Sequence, residues 1–183
     1  MTADQKRIRR WELWGILFIV LLGGMLHFTF ALSGNNAFVG IFSAVNESVW
    51  EHLKLAFFPA AAYTVIEYFT LRRRPGVSQN FILAKAIGAY IMPITIVVIF
   101  YIYTSILGEH IFAIDIASFV IAAALGQYVS YKLLCHMKLP SVYNLLGLAM
   151  WILGILLFAI FTFFPPHLPI FQDPPSGGYG IIQ

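Results

Sequence analysis

Charged residues are scarce in this sequence, and cysteine is almost absent. Asp, Glu, Lys and Arg make up only 10% of the 183 residues, whereas 60% are hydrophobic. A soluble domain typically has about a quarter charged residues, so a water-soluble fold could not cover this much apolar surface and lipid must cover much of it. The single cysteine, Cys135, cannot form an internal disulfide. The net charge of +3 is small and the basic residues form short runs between apolar segments, which argues against nucleic acid as a partner.

The sequence also lacks internal repeats and low-complexity segments, and its length suits one domain, residues 1–183. A helix needs roughly 20 mostly apolar residues to cross the hydrocarbon of a bilayer. We therefore predict an all-α fold, a polytopic transmembrane helix bundle. Its five spans are predicted at about residues 13–32, 49–71, 86–108, 111–131 and 139–164. The second span is the least obvious, because its uninterrupted apolar stretch covers only the 12 residues Leu55–Ile66.

The positions of lysine and arginine predict how the spans are oriented, since both residues are favoured in cytoplasmic segments. With five spans and a cytoplasmic N-terminus, ten of the eleven basic residues fall on the cytoplasmic side, and Lys54 alone does not. The ten are Lys6, Arg7, Arg9, Arg10, Arg72, Arg73, Arg74, Lys85, Lys132 and Lys138. The C-terminus is then outside, and we expect a multi-pass protein of the plasma membrane.

The N-terminus has an alternative interpretation as a secretory signal, with a small-x-small pattern at Ala31–Ser33. Its apolar stretch of about 20 residues is longer than the usual 7–15 of a signal core, so a first span is favoured over a cleaved signal.

Ionisable residues are concentrated at the predicted outer ends of the helices. Such residues are costly inside a bilayer and usually face the protein interior or a water-filled cavity. The candidate catalytic residues are Glu47, Glu51, His52, Lys54 and Asp115. The candidate metal ligands are His27, Glu51 and His52, which would bind a divalent metal ion as cofactor.

The densest polar stretch is Asn46–Lys54, for which two interpretations stay open. Asn46 is a suitable N-cap, and Glu47 in the first turn suits the positive end of the helix dipole. The first interpretation is therefore a capped helix start with a surface Glu–Lys pair, a common and weak interaction. The second is a set of ligands or acid–base groups. The zinc motif H-E-x-x-H is absent from the sequence.

This stretch, read as N-E-S-x-W-E-H-x-K and followed by Phe57-Phe58-Pro59, also carries a resemblance. Together with a proline-rich tail that reads P-P-H at Pro165–His167 and Y-G at Tyr179–Gly180, it resembles a family of small uncharacterised prokaryotic multi-span membrane proteins, a domain of unknown function. The resemblance implies a small multi-span bundle and no particular activity.

The tail, residues 165–183, is rich in proline, which excludes helix. It also contains Ile170, Phe171, Tyr179, Ile181 and Ile182, an apolar content that is atypical of disordered ends. We expect the tail to fold back over the outer helix ends, bringing His167 and Asp173 toward the polar residues there. A simple interfacial anchor is the alternative.

Three functional hypotheses remain. The first is a metal-dependent membrane enzyme that acts at the outer face on a lipid-linked or amphipathic substrate. The second is an ion or small-solute transporter subunit, with Asp115 and Glu67 on one path, although Glu67 is more simply expected to pair with Arg72, Arg73 or Lys85. The third is a non-catalytic subunit, assembly factor or sensor. Haem binding by His27 and His52 is a minor alternative. The expected partners are the bilayer, a lipid or lipid-linked substrate, and a second copy or another membrane protein.

Overall fold

The computed structural model describes residues 1–74 and 77–181, so Ile182 and Gln183 of the predicted tail lie outside the described residues. The helices are α1 (Ala3–Leu32), α2 (Ala37–Gly40), α3 (Val49–Leu71), α4 (Phe81–Leu107), α5 (Phe112–His136) and α6 (Asn144–Phe163). Short 3-10 turns occupy Ser141–Tyr143 and Pro169–Phe171. In the described ranges the only β pairing is one isolated bridge between Gln172 and Tyr179. The predicted all-α fold is confirmed.

Within the described residues, four helices are long and apolar enough to cross a membrane: α1, α4, α5, and α6 taken with the preceding turn from Ser141. This indicates a bilayer environment. The 23-residue α3 is less apolar because it carries Glu51, Lys54 and Glu67. The predicted count of five spans and their orientation therefore stay predictions.

Several helices extend beyond the predicted spans because the pattern of apolar residues reports the part in lipid rather than the whole helix. α1 begins ten residues before the predicted 13, at Ala3, where Thr2 and Gln5 form a capping box. α4 begins at Phe81 and ends where Gly108 adopts a positive φ of 81°, a conformation that glycine adopts without strain.

The long helices run alternately up and down, which gives the bundle two distinct ends. At one end Lys85, near the start of α4, contacts Glu12 near the start of α1 and Glu67 near the end of α3. This end also holds Arg9 and Arg72, and we call it the arginine end. At the other end Lys54, near the start of α3, bonds to Thr162 near the end of α6. Because residues 164–181 pack here, we call it the tail end.

Small residues line the contact between α4 and α5, as is usual for helix packing in membranes. Ala86, Ala89, Ala122 and Ala123 are almost fully buried there, and larger apolar side chains fill the rest of the interior. Large apolar side chains also cover the outside of the bundle; Leu21 and Leu145, for example, are 59% and 66% exposed. This apolar outer surface suits a protein solvated by lipid.

Candidate functional site

The N-cap of α3 lies two residues later in the chain than the sequence suggests. The N-cap is Ser48, whose Oγ accepts a hydrogen bond from the Glu51 backbone at 3.3 Å. The prediction that Asn46 caps the helix is therefore wrong. The Asn46 side chain instead accepts a hydrogen bond from the Ser48 backbone and donates one to the Gly180 carbonyl, both at 2.8 Å. Glu47 thus precedes the helix, and its side chain is not confined to a face of α3.

Three side chains from three elements meet at the tail end: His27 from α1, Glu47 from the loop and His52 from α3. We call them the histidine cluster. The Nε2 atoms of His27 and His52 lie 3.8 Å and 3.4 Å from the two Glu47 carboxylate oxygens. One candidate ligand atom from each residue lies within 4.8 Å of the others. The cluster is accessible to solvent, since the side chains are 28%, 55% and 36% exposed in chain order.

A backbone contact selects the tautomer of His52. Its Nδ1 lies 2.9 Å from the Ser48 carbonyl oxygen, which can only accept, so Nδ1 carries the hydrogen. In neutral His52 the Nε2 lone pair then faces the Glu47 carboxylate, which is also electron-rich. A proton or a metal cation between the two relieves this repulsion, and metal-binding histidines usually donate their other N–H in this way. Among the described residues, the buried Nδ1 of His27 has no hydrogen-bond partner.

Electrostatics at Glu47 are consistent with an ionised carboxylate. Hydrogen bonding to His52 is the main reason why the pKa of Glu47 lies below its ordinary value of 4.5, and partial burial opposes this shift. An ionised carboxylate beside two imidazole nitrogens is a donor set that suits a divalent transition metal.

The C-terminal tail holds the loop that carries Glu47. The Glu47 backbone N–H donates to Asp173 Oδ1 at 2.8 Å, and the Ser176 backbone donates to Asp173 Oδ2 at 3.0 Å. Burial acts to raise the pKa of Asp173, but hydrogen bonds from Ser176 and from the Glu47 backbone outweigh it and hold this pKa below the ordinary value of 3.8. The Trp50 ring lies 4.8 Å from Phe171 of the tail. His167 stacks on Tyr179 at 4.5 Å, within the tail itself.

Glu51 and Lys54, two predicted site residues, form a separate buried pair. Glu51 is 2% and Lys54 0% exposed, and they bind each other directly. Lys54 also donates to Thr162 Oγ1 at 2.9 Å and to the Gly40 carbonyl at 2.6 Å, while Glu51 accepts from the Val45 backbone at 3.0 Å. The structure therefore does not place Glu51 beside the histidines as a ligand. Glu51 and His52 are adjacent residues of α3, so their side chains point in different directions. Glu47, and not Glu51, lies beside His52.

Asp115, the remaining predicted catalytic residue, is not brought to the histidine cluster. It accepts a hydrogen bond from Tyr103 of α4 and lies 3.4 Å from His110 in the loop before α5. The candidate catalytic and metal-binding residues therefore divide among three places: Glu47 with His27 and His52, Glu51 with Lys54, and Asp115 with Tyr103.

A further buried polar group at the arginine end was only partly anticipated. Glu67 pairs with Lys85, one of the three partners suggested by the sequence. Lys85 also donates to both carboxylate oxygens of Glu12, at 3.1 Å and 3.0 Å. A lysine inside the apolar start of α4 requires a buried partner of opposite charge, but this requirement does not single out Glu12.

These features define an all-helical chain whose apolar helices are compatible with a membrane protein. The chain belongs to a family of unknown function, DUF6512, whose family model matches residues 1–181. The resemblance to an uncharacterised family is thereby confirmed. No curated protein and no solved structure matches the chain.

Proposed function

We propose that the protein is a metal-dependent membrane enzyme whose divalent ion is held by His27, Glu47 and His52, and which acts on a lipid-linked or amphipathic substrate. We further propose that the chain crosses the plasma membrane five times. Its N-terminus is then in the cytoplasm and the histidine cluster is at the outer face.

The proposal of five spans depends on α3. Its 23 residues correspond to about 34 Å of helix, enough to cross a bilayer. Its charged residues do not oppose this, because Glu51 pairs with Lys54 and Glu67 with Lys85 inside the protein. An odd number of spans also keeps the basic runs of the arginine end on one side.

The observation that carries the metal proposal is the convergence of three ligand atoms within 4.8 Å. Two ligands of one zinc-like ion at about 2.0–2.2 Å are roughly 3–4 Å apart, which the separations of 3.4 Å and 3.8 Å match. Three protein ligands leave a coordination position open, as catalytic zinc sites do. A divalent ion there would supply Lewis acidity and lower the pKa of a bound water.

The roles of the other candidates follow from their contacts. The buried Glu51–Lys54 pair, joined to Thr162 and Gly40, positions the start of α3 and hence His52. Asp115, which is bound to Tyr103, stabilises the α4–α5 connection in this proposal and does not touch substrate.

A non-catalytic subunit or sensor is the second candidate, since the pairing of Glu51, Lys54 and Asp173 with protein groups is what a structural polar network predicts. A transport path has less support. Between the histidine cluster and Glu67 the described interior is filled by apolar residues such as Ile19, Leu53, Phe57 and Met92.

The test is metal analysis of purified, full-length protein after chelation and reloading with zinc or manganese. We expect about one ion per chain for the wild type, and its loss in His52→Ala and Glu47→Gln. His136→Ala is the matched control, because His136 lies at the arginine end and bonds only to its own helix among the described residues. Equal metal contents in all four proteins would end the proposal.

Catalysis needs its own measurement. Metal-loaded wild type and Glu47→Gln are incubated with an extract of membrane lipids, and the products are followed by mass spectrometry. Conversion by the wild type alone supports an enzyme. Metal binding without any conversion would favour the sensor or subunit function instead.

A further inference from the structure

Two carboxylates share one ammonium group inside the arginine end of the bundle. Glu12 of α1 and Glu67 of α3 both contact Lys85 of α4. Their exposed fractions are 3%, 0% and 3% in that order, so all three side chains are removed from solvent. We call these three residues the carboxylate–lysine site.

The charges at this site do not balance. With both carboxylates ionised and Lys85 protonated, the site has a net charge of −1, and an uncompensated buried charge is strongly unfavourable. The other direct partners are neutral: Ser130 donates to Glu12 Oε1 at 3.1 Å, and the Gln127 side-chain oxygen lies 3.4 Å from Lys85 Nζ. Among the described residues, the ion pairs of the two carboxylates involve Lys85 alone.

The hydrogen bonds at the site are also incomplete. Among the described residues, the Oε1 atom of Glu67 is buried and has no hydrogen-bond partner. Tyr63, on the same helix, does not satisfy it, because its hydroxyl donates to the Trp11 carbonyl at 2.7 Å. Other ionisable groups on the elements around the site include Arg9 and Arg10 of α1, Tyr68 of α3 with Arg72 at its end, and Tyr128, Tyr131, Lys132, Cys135 and His136 of α5.

A cleft connects the site to the surface. It lies between α1 and α5, has a volume of about 620 Å³, and is lined by Glu12 and Gln127 as well as by Arg9, Lys132 and His136. The last three residues place its mouth at the arginine end. Of the three residues of the carboxylate–lysine site, Glu12 lines the cleft, and it is in turn bound to Lys85.

We infer that Glu12, Glu67 and Lys85 form a proton-binding site, in which one of the two carboxylates holds one exchangeable proton that is taken up from the cleft between α1 and α5. Uptake of one proton from water forms a carboxyl O–H bond, leaves Lys85 with its own protons, and makes the site neutral. The proton is thus a ligand of this end of the protein, independent of any metal at the tail end.

Infrared spectroscopy of the full-length protein in lipid nanodiscs tests this inference. We expect a protonated carboxyl C=O band at pH 7 that shifts in deuterated water. The band is lost in Glu12→Gln and in Glu67→Gln, and is retained in Glu109→Gln, which changes an exposed carboxylate near the opposite end. A wild-type spectrum without the band, or a band present in all variants, overturns the proposal.

The route of uptake has a separate test that does not depend on removing a buried charge. Ala124 lines the cleft and is only partly buried. The substitution Ala124→Trp therefore places an aromatic ring in the cleft. We expect deuterium exchange of the carboxyl band to slow several-fold relative to the wild type. Unchanged exchange would show that the proton does not enter through the cleft.

Discussion

The Nε2 atom of His52 lies 3.4 Å from a carboxylate oxygen of Glu47, although Glu47 precedes the helix that carries His52. The cluster is therefore built by the conformation of a loop and not by one helix face. That loop is held by Asp173, which accepts the Glu47 backbone N–H at 2.8 Å. A residue 126 positions away in sequence thus positions a candidate ligand.

Asp173→Ala should weaken metal binding without unfolding the bundle. The substitution leaves the Glu47 N–H without its acceptor and frees the loop, and loss of such outer partners typically lowers metal affinity about 10–100-fold. Isothermal titration with zinc measures the change. Gln172→Ala is the matched control, because among the residues that the structure describes its side chain bonds only within the tail, to the Gly177 carbonyl at 3.2 Å. Equal zinc affinities for Asp173→Ala and the control would show that the tail does not position Glu47 for metal binding.

Acid should release the tail from the loop. The pKa of Asp173 is held below 3.8 by hydrogen bonds from Ser176 and the Glu47 backbone, which outweigh the opposing effect of burial. Its ionised form therefore stabilises the folded tail fully above that value, and this stabilisation is lost as the pH falls through the lower pKa of the folded state. Hydrogen exchange of the Glu47 and Ser176 amides should accelerate in this acid range.

In Asp173→Asn this acid-dependent step should be absent, because the amide does not titrate. If the amides of wild type and Asp173→Asn respond to acid in the same way, another group controls the tail.

Removing Lys54 should destabilise the protein far more than removing an exposed lysine. Lys54→Ala leaves Glu51 buried and unpaired, which typically costs about 3–5 kcal/mol. The exposed Lys138→Ala should change stability by less than about 0.5 kcal/mol. Unfolding of purified protein in detergent measures both. The double variant Lys54→Met/Glu51→Leu should recover much of the loss, and equal stability of the two single variants would contradict the importance of the pair.

The sequence predicted the fold more completely than it predicted the candidate site. Apolar length alone located the regions that form α1 and α4–α6, because the requirement for lipid-covered helices is strong and local. The helix starts were less well predicted: the capping box at Thr2 depends on two local hydrogen bonds and the Ser48 cap on one.

The site was harder to predict because side-chain direction decides it. Glu51 and His52 are adjacent in sequence, yet the structure places Glu51 against Lys54 and His52 beside Glu47. Glu12 was missed because its partner, Lys85, is 73 residues away, and no local pattern reports such a pairing.

The number of spans can be decided by locating the two ends of the chain. In a Cys135→Ser background, Ala3→Cys and Gln172→Cys each introduce one exposed thiol, near the N-terminus and in the tail. With five spans, a membrane-impermeant maleimide added to intact cells labels Gln172→Cys, and it labels Ala3→Cys only after permeabilisation. With four spans both residues lie on the same side of the membrane and react together. The second result would show that α3 does not cross the membrane. Access to the histidine cluster would then differ from the proposed access at the outer face.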